Sequence, residues 1–129
     1  FGYYLAGGTK FPLIGLVAGI CWAVAMHAYS AVPDIEADNK AGLKTIAILI
    51  GQSRTIYLCW FLYILAAYLV RDIVPIASII GAITFSYFMY KSVKAKTPEA
   101  LFKIYTYFPI INTLMGAIVS MSLFAKNIW

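Results

Sequence analysis

From Pro12 to Val32 the chain carries no Asp, Glu, Lys or Arg. At roughly 1.5 Å per residue a helix of that length reaches about 30 Å, the thickness of a bilayer's hydrocarbon core. Backbone N–H and C=O groups inside lipid find no water, so a spanning segment must be a helix or part of a closed barrel. The apolar residues here run on without strand-like alternation, which selects the helix. Three further segments have the same character: Thr55 to Val70, with the apolar run Ile46–Ile50 just before it; Ile73 to Tyr90; and Leu101 to Ala125. The fold expected is all-α, a polytopic transmembrane helix bundle with about four spans.

Composition agrees with this reading. Charged residues make up 12% of the chain and hydrophobic residues 63%, whereas a soluble domain carries about 25% charged residues. The net charge of +5 does not point to nucleic acid. Its basic residues lie between apolar segments and are not interleaved with aromatics in any polar stretch, so the partner expected is the lipid bilayer and no nucleic acid. Cys21 and Cys59 each sit inside an apolar segment without a metal-binding spacing, and read as small buried residues.

The basic residues alternate between the two sides of the bundle. Lys40, Lys44, Arg54, Lys91, Lys94, Lys96 and Lys103 fall on one side; Lys10, Arg71 and Lys126 fall on the other, where Asp72 offsets Arg71. The positive-inside rule then places the Asp34–Arg54 loop in the cytoplasm. Pro75 suits the first turn of the third helix. Thr97 suits a cap before Pro98 and Glu99. Pro109 lies inside the fourth span and is expected to kink it. Phe1–Gly8, with the turn signal Gly7-Gly8, looks like the end of an earlier segment. The start at Phe1, without Met or a basic leader, suggests a piece of a longer protein.

Three of the five acidic residues fall in one window, Asp34-Ile35-Glu36-Ala37-Asp38, at the end of the first span. Acids at the edge of a hydrocarbon layer are costly and usually have a task. The spacing Asp-x-x-x-Asp puts two carboxylates one helical turn apart. Paired hard oxygens suit Mg²⁺, which often bridges protein carboxylates to a substrate's phosphates. The same residues also read structurally: Asp34 as an N-cap, Glu36 and Lys40 as an i,i+4 ion pair, and Gly42 as a C-cap. The two readings are compatible.

The wider stretch contains Asp34, Asp38, Lys40, Ala41-Gly42, Thr45, the run Ile46–Ile50 and Gly51. It resembles the second aspartate-rich motif of the UbiA superfamily of intramembrane prenyltransferases. The resemblance implies a nine-helix fold around a central cavity, of which residues 1–129 would be the C-terminal part of a single domain. The superfamily's first motif, Asn-Asp-x-x-Asp-x-x-x-Asp, is absent from this chain, so the isolated piece is expected to be inactive. By resemblance Asp34 and Asp38 hold Mg²⁺ and are the catalytic pair. Lys44, and after it Lys40, contact an isoprenyl diphosphate. Neutralising the departing diphosphate lets the allylic carbon react with an acceptor's π electrons. The string His27 to Asp38 is most similar to the carotenoid branch of the superfamily, which implies dimethylallyl diphosphate as donor and lycopene as acceptor. Quinone, chlorophyll and archaeal ether-lipid branches share the metal motif.

His27 lies seven residues before Asp34, on nearly the same face of a continuous helix, and is a candidate for the substrate cavity. Tyr29, Ser30, Tyr105 and Asn112 are further candidates, although packing and helix–helix hydrogen bonds explain them equally well. Phe85, Tyr87, Phe88 and Tyr90 read as an interfacial aromatic belt. Lys91, Lys94 and Lys96 set topology, with attraction of anionic substrate or lipid as a secondary effect. A transporter or membrane assembly subunit is the rival reading; its acids should face a pore at mid-membrane depth.

Overall fold

The computed structural model describes residues 13–125. Its elements are α1 (Leu13–Ser30), α2 (Ile35–Lys40), α3 (Ile46–Ile50), α4 (Gln52–Leu69), α5 (Pro75–Lys94), α6 (Pro98–Tyr105) and α7 (Phe108–Ala125), with no strand among the described residues. The expected Phe1–Gly8 segment and its turn, together with Lys10, Pro12 and Lys126, lie outside this range.

The four long helices are the four apolar segments, but they are not equivalent. By length and composition, α1, α5 and the Pro98–Ala125 run can each cross a membrane. The helix α4 falls short of that standard, so among the described residues three such spans stand where about four were expected. Its helix begins at Gln52, earlier than the apolar segment, because Gly51 ends α3 directly against it. Gln52, Ser53 and Arg54 thus become its first turn and dilute its apolar character. It is nonetheless central, packed between α1 and α5.

Buried Tyr29, Ile56, Cys59, Tyr63, Phe85, Phe88, Met89 and Phe108 form the core. The outer faces carry exposed Ile20, Phe61, Ile76 and Ile83. In water such faces would drive association; against lipid tails they need no cover. Since lipid is as apolar as leucine, helix association leans on packing and on interhelical hydrogen bonds. Interhelical bonds of this kind tie the bundle. Trp22 Nε1 on α1 donates to Asn112 Oδ1 on α7 at 2.9 Å. The Tyr29 and Ser92 hydroxyls join α1 to α5 at 2.8 Å. Trp60 Nε1 on α4 donates to Ser86 Oγ on α5 at 3.0 Å. The aromatic cluster of α5 divides by face: Phe85 and Phe88 enter the core, while Tyr87 and Tyr90 stay exposed.

Local signals place most helix ends. Pro75 opens α5 and Pro98 opens α6. Thr97 Oγ1 accepts from Ala100 N at 3.2 Å, as a cap should. At Pro109, where a kink is expected, the helical run is interrupted by a two-residue turn. The chain leaves the helix at Thr106–Tyr107, and Pro109 becomes the second residue of α7. A proline ring clashes with the carbonyl four residues before it and cannot donate to it, whereas the first turn of a new helix tolerates both defects.

Candidate functional site

The Asp-rich segment is built by two helix ends and a glycine. The first helix stops at Ser30, and Val32 N donates to Tyr29 O at 3.0 Å in the turn that follows. Asp34 then occupies the N-cap of α2, with φ −97° and ψ 3°. Its carboxylate makes no capping bond, so it is not consumed by the helix it begins. Asp38 N donates to Asp34 O at 2.8 Å, which sets the two residues one helical turn apart. Asp34 is exposed and Asp38 half-buried. Neither has an ion-pair partner among the described residues.

Glu36 does not join them. Lys40 Nζ donates to Glu36 Oε1 at 2.9 Å, with both side chains largely exposed. That hydrogen bond, with the charge of Lys40 behind it, holds the Glu36 carboxyl below the usual carboxylate range. Lys40 is thereby engaged along its own helix. Lys44 is exposed and has no ion-pair partner among the described residues.

The link between Asp38 and Lys44 runs through Gly42. Leu43 N donates to Asp38 O at 3.0 Å and Gly42 N to Asn39 O at 3.2 Å. This is the paired 6→1 and 5→2 pattern that ends a helix on a left-handed residue. Gly42 supplies that residue, with φ +72°. The chain then reverses, Thr45 Oγ1 accepts from Ile48 N at 3.4 Å, and α3 begins. The backbone carbonyl of one candidate ligand is therefore part of the turn that leads into Lys44.

The loop has a neighbour that its sequence did not announce. Pro33 shares a cleft with Pro98, Glu99, Phe102, Lys103 and Thr106. The start of α6 thus stands beside the start of the Asp-rich segment, and Lys103 with it. Sequence reasoning assigned Lys103 to topology only; the one signal available was that both segments fall on the same side of the bundle.

The remaining candidates lie elsewhere. His27 is exposed on α1, and its backbone carbonyl accepts from Ser30 Oγ at 2.8 Å. The expectation that it shares a continuous helical face with Asp34 is not met, because α1 ends between them and α2 starts afresh. Tyr29 is fully buried, bonded to Ser92, and packed by the rings of Phe88 at 5.5 Å and Phe108 at 4.7 Å. Tyr105 leans on the same cluster, 6.0 Å from Tyr29. Asn112 accepts from Trp22 and donates from Nδ2 to Phe108 O at 2.9 Å, so its amide serves the α1–α7 contact.

Among the described residues no three or more His, Cys, Asp or Glu side chains come together. A closed cage made by the protein alone is therefore not what this segment offers. Two carboxylates without ion-pair partners among the described residues, one turn apart, one exposed and one half-buried, fit the other mode of Mg²⁺ binding. In that mode the ion keeps several waters and joins one or two carboxylates to a substrate's phosphates.

The chain matches the UbiA prenyltransferase family over residues 1–113. It is similar to the lycopene elongase/hydratase of Haloferax volcanii, with 29% identity over 122 residues, covering 92% of this chain and 38% of that protein. The lycopene elongase/hydratase of Halobacterium salinarum is 31% identical over 119 residues, 92% of this chain and 42% of that protein. That of Corynebacterium glutamicum is 31% identical over 116 residues, 87% and 40% of the two chains. The chain thus spans about two fifths of the length of these curated relatives. No solved structure matches it. With the Asp-rich segment, its glycine reversal and the helical membrane bundle behind them, the match shows that this chain belongs to the UbiA prenyltransferase family.

Proposed function

We propose that the protein to which this chain contributes is a Mg²⁺-dependent intramembrane prenyltransferase. It would move an isoprenyl group from its diphosphate to an apolar acceptor. The observation that carries the reading is the pair Asp34 and Asp38, set one turn apart at the end of an apolar bundle and left without ion-pair partners among the described residues. When bound, Mg²⁺ supplies positive charge against the diphosphate as its bond to the allylic carbon breaks. Asp34 and Asp38 would hold the ion by their carboxylates. Lys44 offers an ammonium to the phosphate oxygens, aimed by the reversal at Gly42. Lys40 is a weaker contact, since Glu36 already engages it. The apolar bundle keeps water from the reacting carbon, which protects it from hydrolysis.

For the acceptor we propose lycopene, with dimethylallyl diphosphate as donor. The support is the similarity to proteins named lycopene elongase/hydratase from Haloferax volcanii, Halobacterium salinarum and Corynebacterium glutamicum. By the excess of basic residues on its side, the Asp34–Arg54 loop would face the cytoplasm.

The test is substitution of Asp34 or Asp38 by Ala in the complete protein, with Mg²⁺-dependent diphosphate release measured on lycopene, 4-hydroxybenzoate and geranylgeranylglyceryl phosphate. Release lost in both variants, and seen in the parent with lycopene alone, supports the whole reading. Unchanged release in both variants removes the metal assignment. Release with one of the other acceptors instead moves the protein to another branch of the family.

A further inference from the structure

A groove of about 510 Å³ runs between α5 and the α6–α7 segment, and neither Asp34 nor Asp38 lines it. Its floor is apolar, with Phe88, Ile104 and Ile111. Two lysines line it, Lys91 from α5 and Lys103 from α6, and no acidic residue does. Neither lysine has an ion-pair partner among the described residues. Lys94, by contrast, lies over its own helix's Tyr90 ring, 5.7 Å from the centroid. Tyr87 and Tyr107 also line the groove and are exposed. The groove lies at the bundle end that carries the Asp-rich loop, because Ser92 bonds Tyr29 there and Lys103 also borders the cleft beside Pro33.

Cations left unpaired above an apolar slot, with tyrosines beside them, complement one kind of molecule at a membrane surface. It has an anionic head and hydrocarbon chains. Basic pockets between transmembrane helices hold acidic lipid headgroups in this way. We propose that the α5–α6 groove binds an anionic phospholipid. Its headgroup phosphate lies between Lys91 and Lys103, and an acyl chain follows Phe88, Ile104 and Ile111. This site does not depend on the reaction assigned to the Asp-rich loop.

The test uses the complete protein in nanodiscs of phosphatidylcholine with a minor share of phosphatidylglycerol, and native mass spectrometry counts the lipid retained. The variant K91A/K103A is compared with K94A/K96A, which removes the same charge from the same end of the bundle. K91R/K103R controls for folding and should keep the lipid. The first variant should retain phosphatidylglycerol about 30-fold more weakly, the effect of two lysines near a membrane surface, and the second should match the parent. Equal loss in both variants would mean diffuse surface charge, and no loss in either would mean no site. Release of the lipid by inorganic diphosphate would assign the groove to a diphosphate substrate and overturn the proposal.

Discussion

Replacing Gly42 by Ala tests whether the backbone between Asp38 and Lys44 is a working part of the site. A Cβ at this position would meet nothing within 4 Å, so no steric clash contributes. The cost comes from φ +72° alone. An L-residue in the left-handed region loses roughly 1–2 kcal/mol. Against that, exchanging Gly for Ala restricts the unfolded chain and returns about 0.4–1 kcal/mol. The net is about 1 kcal/mol, or a roughly fivefold shift in the equilibrium between the closed turn and an opened one. Because Leu43 N and Gly42 N bond the carbonyls of Asp38 and Asn39, opening the turn frays α2 from its C-terminal end. If the proposed function holds, the outcome in the complete protein is a raised KM for the isoprenyl diphosphate, with only a small fall in thermal stability. Asn tolerates the left-handed region by bonding locally, so Gly42→Asn should recover most of the loss. Equal damage from Ala and Asn, or no effect from Ala, would refute the backbone argument.

Gly51→Ala should be more harmful than Gly42→Ala, since φ +82° with ψ 162° lies in a region that essentially only glycine enters, at a cost of order 1–3 kcal/mol. Unfolding in detergent would show it, and Gly19→Ala, in an open mid-helix position, should be neutral or stabilising. Ser92→Ala leaves the Tyr29 hydroxyl buried without its partner and should cost about 1–3 kcal/mol, whereas Tyr29→Phe should cost less because Ser92 still donates to Phe88 O. Thermal melts of the two variants decide the order. Glu36 has a folded value lowered by Lys40, so what the pair contributes is present at neutral pH and is lost as pH falls below the usual carboxylate range. Both groups are exposed, so Glu36→Gln should leave the melting temperature at pH 7 unchanged, and a clear drop would show that α2 leans on the pair.

Much of this architecture was legible because the relevant signals are local. The run from Pro12 to Val32 gives α1 by length alone, and Thr97 with Pro98 marks a helix start whatever surrounds it. Gly42 after Asp38 and Lys40 announces a reversal, and Glu36 with Lys40 an ion pair; both are present. What was not legible depends on competition between segments. His27 and Asp34 share a helical face only if the helix continues, and the turn at Val32 stops it. Pro109 announces a disturbed helix, but the two-residue turn just before it is not written in any local signal. Tyr29 and Asn112 are polar enough for a cavity, yet their bonds go to Ser92 and Trp22, residues more than sixty positions away in the chain. The approach of Lys103 to the Pro33 turn is likewise a product of tertiary packing.

The break at Thr106–Tyr107 also settles a matter of length. The apolar run Pro98–Ala125 has 28 residues and as one rod would be about 42 Å long, well beyond the roughly 30 Å depth of hydrocarbon. A rod of that length must tilt strongly or thicken the lipid around it. Divided as it is, the 18 residues of α7 make about 27 Å, close to the bilayer's own measure. The eight residues of α6 lie before that turn, so the crossing does not need them. Two residues of turn and one proline therefore act as a ruler, trimming an overlong apolar sequence to the thickness of the membrane it occupies.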